Sequence, residues 1–132
     1  MDSHIVNYGN IGQEIEQAAI PAKAKLEKIF NRYSNLVDGD RICVIGAIAA
    51  DYKTLPEKTR IKVATLVELV LKLVEKTLQE GKKNGEFTFT ESARVQTLLI
   101  MTNLSAGVQL ARITGKKDFD TIRKTVLKQL SA

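Results

Sequence analysis

Val95-Gln-Thr-Leu-Leu-Ile-Met-Thr-Asn-Leu-Ser-Ala-Gly-Val-Gln-Leu-Ala111 is the longest run without a charged residue in this chain, 17 residues. Gln96, Thr97, Thr102, Asn103, Ser105 and Gln109 make it too polar for lipid, so it reads as a helix within protein rather than a membrane span. Ala93, Ile100, Leu104, Val108 and Ala111 form one apolar stripe along it. Val95, Leu98, Leu99, Thr102, Ala106, Leu110 and Ile113 form a second stripe on a different side. A helix uncharged all round must be covered on nearly all sides. A chain of 132 residues has few other helices to do this, so the second stripe predicts a partner chain. Ser105-Ala106-Gly107 supplies small side chains where two backbones could approach.

Working outward, Thr88 or Thr90 is the expected cap of this helix, which runs to Thr114 before Gly115. Asp118 is the expected cap of a last helix, with Phe119, Ile122, Val126, Leu127 and Leu130 on one face and basic residues on the other. Upstream, Thr54-Leu-Pro-Glu57 matches a capping box opening a helix over 55–83, ended by Gly81 and Gly85. Its predicted apolar side is Ile61, Ala64, Val67, Leu71, Val74 and Leu78. Phe87 and Phe89, in the connector, are expected to pin the two longest helices together. The uncharged stretch from Ile42 to Ala50 reads as a short buried helix after an Asp40 cap, since a lone strand would have nothing to pair with. An amphipathic helix is predicted over 21–37, with Ala22, Leu26, Ile29, Phe30, Tyr33 and Val37 inward. Pro21 separates it from a short helix capped by Asn10. The prediction is an all-α bundle of about six helices: an N-terminal tail over 1–12, partly ordered, and a single domain over 13–132.

Composition agrees and excludes much else. With 44% hydrophobic residues and only 8 Gly and 2 Pro, the chain is neither disordered nor a turn-rich β fold. One Cys and one His, Cys43 and His4, leave no disulfide framework, no multi-cysteine zinc site and few catalytic templates. No Walker, GxSxG, HExxH or GxGxxG motif occurs. The carboxylate pairs Glu14/Glu16 and Asp118/Asp120 lie near helix starts, where they suit the dipole. No enzyme activity, cofactor or metal is expected. The net charge of +5 concentrates after residue 57, but no aromatic interleaves the basic groups to stack on bases. They read as solvated helix faces. Met1-Asp2-Ser3-His4 is no signal peptide, so a cytoplasmic protein without a membrane partner is expected. Cys43 has two readings: a thiol sensor activated near a helix N-terminus, or a small buried apolar residue.

Cys43-Val-Ile-Gly46-Ala-Ile-Ala49-Ala50 resembles the Gly-Cys-x-x-Gly-Asn-x-Ala stretch of tetracycline-repressor (TetR) family regulators. Gly85-Glu86-Phe87 is similar to the family's Gly-Glu-Leu turn, and Ala106-Gly107-Val-Gln-Leu-Ala111-Arg112 to its x-Gly-x-x-x-x-Ala-Arg element. The resemblance covers about residues 22–130. Two details depart from it: Arg41-Ile42 stands before Cys43 in place of Gly, and Ala47 stands in place of Asn. The family's N-terminal helix-turn-helix, about 50 residues, has no counterpart in the residues given.

The resemblance implies a regulatory domain that dimerises through its last two long helices and binds a small apolar or amphipathic effector. It implies no DNA contact by this chain except through such an N-terminal module. The candidate pocket is Leu26, Phe30, Tyr33, Cys43, Ala47, Leu71, Met101 and Leu104. The candidate homodimer interface is Leu98, Leu99, Thr102, Ala106, Gln109, Leu110, Ile113, Ile122, Val126 and Leu130. The alternative is a standalone helical interaction protein that hetero-dimerises with a full-length regulator.

Overall fold

Pro21 divides two helices, as its ring dictates: α1 spans Asp2–Gln17 and α2 Ala22–Asp38. A 3-10 turn, Tyr52–Thr54, precedes the longest helix, α3 (Glu57–Lys83). The bundle closes with α4 (Ala93–Thr114) and α5 (Lys116–Leu130). The structure, a computed structural model, describes residues 2–39 and 51–131. Among these the chain is all-α, with five α-helices and no strand. The short helix expected between Arg41 and Ala50, its Asp40 cap, Cys43 and Ala47 lie outside the described residues.

α2 is the hub, packing against α3, α4 and α5, while α1 lies along α3. The core is built where these helices meet, from Leu26, Phe30, Val74, Leu78, Leu104, Val108, Phe119 and Leu130, each buried. The first helix begins at Asp2, where the sequence predicts a loose start before Asn10. Ile15 is buried in the core, and Gly12 faces the Leu73 side chain.

Three further helix starts differ from those predicted. The capping box at Thr54 does not form, because Leu55 and Pro56 are both extended and the helix opens only at Glu57. Proline disfavours a helical conformation in the residue before it. Thr54 Oγ1 donates instead to the Asp51 carbonyl at 2.7 Å. Ser92, not Thr88 or Thr90, caps α4, its hydroxyl accepting from the Val95 N–H at 3.2 Å. The last helix opens directly after Gly115 (φ 105°), which leaves Asp118 in the first turn rather than at the cap.

α2 has no cap of its own, since Pro21 offers no side-chain acceptor. Glu86, 64 residues along the chain, supplies it. Its carboxylate accepts from the backbone N–H of Ala22 at 3.0 Å and of Lys23 at 3.2 Å. A charge placed at the N-terminus also complements the helix dipole. Glu86 is held there by the turn that ends α3. Gly85 takes φ +80°, and the N–H groups of Glu86 and Phe87 both donate to the Gly81 carbonyl. Gly81 is therefore inside α3 rather than at its end, and the Phe87 ring lies where its Cβ would be. Phe87 and Phe89 are both buried, with ring centroids 6.5 Å apart. The connector is tied down further by the Thr88 N–H, which donates to the Leu130 carbonyl at the end of α5.

Lys25 is buried on α2, with its ammonium 2.9 Å from Glu80 on α3 and donating also to the Glu16 carbonyl of α1. A buried cation needs such partners, so this pair fixes three helix ends against one another.

Candidate functional site

α4 has the two faces that its sequence predicts. Ile100, Leu104, Val108 and Ala111 are buried, and Ala93 packs partly against the core. Val95, Leu98, Leu99, Leu110 and Ile113 point away from the chain, 40–86% exposed. Thr102, Ala106 and Gln109 are exposed between them. Five of the seven large apolar side chains exposed among the described residues are on this one face. Two polar groups beside it bond back to the helix: Thr102 Oγ1 and Asn103 Nδ2 both donate to the Leu99 carbonyl at 2.9 Å. A shallow groove of about 480 Å³ runs along it, bordered by Ala106, Leu110, Ile113 and Ile122.

The rest of the candidate interface is placed differently. Ile122 is half-buried at the edge, where it and Phe119 meet Gly107. Gly107 thus permits a close approach of α5 within the chain, while Ala106 alone of the small residues is on the outer face. Val126 and Leu130, 7% and 2% exposed, point into the core and are covered by their own chain.

Leu26, Phe30, Tyr33, Leu71, Met101 and Leu104 come together, but as packed core, and none of them borders a described cavity. Cys43 and Ala47 lie outside the described residues. The largest described opening, about 670 Å³, is on the outer flank of α3. It exists because the first turns of α3 bury Val63 and Leu66 in place of Ile61 and Ala64, leaving Ile61 61% exposed and Ala64 outside, whereas Leu71, Val74 and Leu78 of the predicted stripe are buried and Val67 packs partly against the core. Tyr52, Arg60, Ile61, Ala64, Leu69 and Lys72 are among its walls. Arg94, at the start of α4, borders the region and donates to Glu68 at 3.1 Å. That hydrogen bond, with the charges of Glu68 and Glu75, raises the Arg94 pKa above its ordinary value.

Among the described residues there is no group of three His, Cys, Asp or Glu that could hold a metal ion, and no helix long and apolar enough to cross a membrane. Sequence reasoning missed Glu86 as a cap and Arg60 as a groove residue. The Gly-Glu-Phe turn marks Glu86, but its partner helix is 63–64 residues away and carries no matching motif.

The family model described as "Tetracyclin repressor-like, C-terminal domain" matches residues 9–126. The fold is similar to that of a TetR transcriptional regulator from Legionella pneumophila, with a TM-score of 0.83 and 20% identity over 98% of this chain and 69% of that one. It is also similar to a TetR-family regulator from Agrobacterium tumefaciens, with a TM-score of 0.85 and 18% identity over 97% and 71% of the two chains. At such identities the likeness is one of fold. No curated protein matches the sequence. The matched residues run from the second half of α1 through α2, α3 and α4 into α5 as far as Val126, and by them this chain belongs to the tetracycline-repressor-like family of transcriptional regulators.

Proposed function

We propose that the chain is the regulatory part of a TetR-type regulator, acting in the cytoplasm without chemistry of its own. It pairs with a second copy through α4 and responds to a small apolar or amphipathic effector. The pairing rests on one observation, the apolar outer face of α4, with Leu98, Leu99, Leu110 and Ile113 43–86% exposed. Burying such surface gains about 25 cal/mol per Å². A second copy carries the same face, and a two-fold axis along it satisfies both at once. α5 flanks the contact through Ile122, with Val126 and Leu130 anchoring it from inside.

The effector acts on the packing of α2, α3 and α4, where Leu26, Phe30, Tyr33, Leu71, Met101 and Leu104 meet. A ligand that binds one arrangement of these helices better shifts the population toward it. The shift alters the spacing of DNA-reading modules carried by the two subunits. DNA contact belongs to those modules and not to this bundle.

Ala106→Glu tests the pairing. Ala106 is exposed, so the substitution leaves the fold intact. The variant is expected to keep its helical circular dichroism and to halve its mass by light scattering. A folded variant with the mass of an unaltered dimer overturns the interface.

A further inference from the structure

The end of the bundle where α2 begins and α3 and α5 finish is basic. The last turn of α3 abuts the first turn of α2 there, with Gly81 beside Ala22, and Ser131 Oγ donates to the Glu86 carbonyl at 3.4 Å. Lys23, Lys82, Lys83, Lys124 and Lys128 are all exposed on the helices that meet at this junction. Along most of its length the seam between α2 and α5 is tied shut: Lys116 pairs with Asp38, and Arg123 donates to Ser34 Oγ at 2.9 Å. At the basic end it opens into a groove of about 530 Å³. α2 lines the groove with Lys23 and Glu27, and α5 with Lys124, Leu127 and Lys128.

Most carboxylates near the groove are already engaged. Glu80 pairs with Lys25, and Glu86 holds the N–H groups of Ala22 and Lys23. Asp120, one turn before Lys124, acts on Lys116 at the other end of α5. Glu27 is left as the acid of the groove, against three lysines that no ion pair among the described residues engages. Helix dipoles account for Lys82, Lys83 and Lys128, which stand in last turns. They do not account for Lys23, a cation in the first turn of α2, where the dipole disfavours it.

Glu27 decides which kind of anion fits. A compact polyphosphate drawn to the three ammonium groups would be pressed against its carboxylate, and like charges at short range repel. A peptide separates the two requirements. Its carboxylates reach the lysines on the rim, while a backbone N–H, a donor, meets Glu27. Leu127, half-buried, offers the same segment an apolar contact. We propose that this groove docks an acidic segment of a partner protein, with carboxylates on Lys23, Lys124 and Lys128. Neither the effector reading nor the pairing through α4 is required for it.

The fluorescein-labelled peptide Glu-Glu-Leu-Glu-Glu-Leu-Glu-Glu, and its counterpart with every Glu replaced by Gln, test the docking by fluorescence anisotropy on the intact chain. The acidic peptide is expected to bind and the Gln peptide not to bind. Combining Lys23→Gln, Lys124→Gln and Lys128→Gln is expected to weaken binding about tenfold or more, the sum of three exposed ion pairs. Combining Lys53→Gln, Lys58→Gln and Lys72→Gln removes the same charge away from the groove and is expected to leave the affinity within about twofold. Each of these lysines is exposed, so both variants are expected to keep the helical circular dichroism of the unsubstituted chain. Equal losses in the two variants overturn the groove in favour of net charge alone. Equal binding of the two peptides, or binding of neither, overturns the acidic partner. A short DNA duplex or tripolyphosphate that binds more tightly than the acidic peptide overturns the choice of a protein segment over a phosphate-bearing ligand.

Discussion

Glu86 shows how one residue organises a helix far from it in sequence. Its carboxylate accepts two N–H groups at the start of α2, a helix whose own N-terminal residue, Pro21, supplies no acceptor. Glu86→Ala is expected to destabilise the fold by about 1 kcal/mol, the ordinary worth of a cap. Thermal denaturation by circular dichroism should show a drop of a few degrees, with a smaller drop for Glu86→Gln, which keeps one acceptor oxygen. Gly81 offers a sharper test because two effects oppose each other. Alanine stabilises a helix interior by about 1 kcal/mol over glycine. Here its methyl would occupy the place of the Phe87 ring and come 3.1 Å from the Ala22 Cβ. Overpacking of this kind costs about 1–3 kcal/mol, so Gly81→Ala is expected to lower the melting temperature. A rise would mean that the Phe87 ring is not seated over Gly81. Neither role is legible in the sequence, since both depend on contacts between segments that no local pattern connects.

At the scale of elements, periodicity was informative where one face is strongly apolar and weaker where apolar residues surround the helix. In α2 the predicted inward residues Ala22, Leu26, Ile29, Phe30 and Tyr33 are buried, and Val37 packs partly against the core. The two stripes of α4 separate as predicted into a covered and an uncovered face. α3 is less clear. Val, Leu and Ile occur on several of its sides, and the stripe chosen from sequence included Ile61 and Ala64, which face outward. Val63 and Leu66 are the residues that turn in, and this exchange in the first turns is what creates the groove beside Arg60. Helix ends were the least legible. Capping depends on φ and ψ values that Pro56 and Gly115 impose, as well as on a suitable side chain. Ser92 is the cap that does form, and Ser92→Ala is expected to cost about 1 kcal/mol in thermal or chemical denaturation. Thr90→Ala is expected to have no comparable effect.

Across the whole molecule, the helices are joined by a few polar ties and a shared core. Lys116, at the start of α5, pairs with Asp38, at the end of α2. The hydrogen bond to Asp38 and its charge raise the Lys116 pKa above its ordinary 10.5. A raised folded-state pKa gives stability that is present below the unfolded value and lost as pH rises through the folded one. Both groups are about half exposed, so the effect is weakened by solvent and salt. Lys116→Gln is therefore expected to differ slightly from the unsubstituted chain at neutral pH, with the difference starting to shrink near pH 10.5 and vanishing only as pH passes the raised folded-state value. What these ties do not provide is a cover for α4. The core closes with its outer face still open, and a second copy is the cover this account assigns. Sedimentation velocity of the unsubstituted chain over a range of concentrations tests that claim most directly. A species of twice 14.6 kDa that persists on dilution into the low micromolar range is expected, whereas a single 14.6 kDa species at every concentration would rule out pairing through α4.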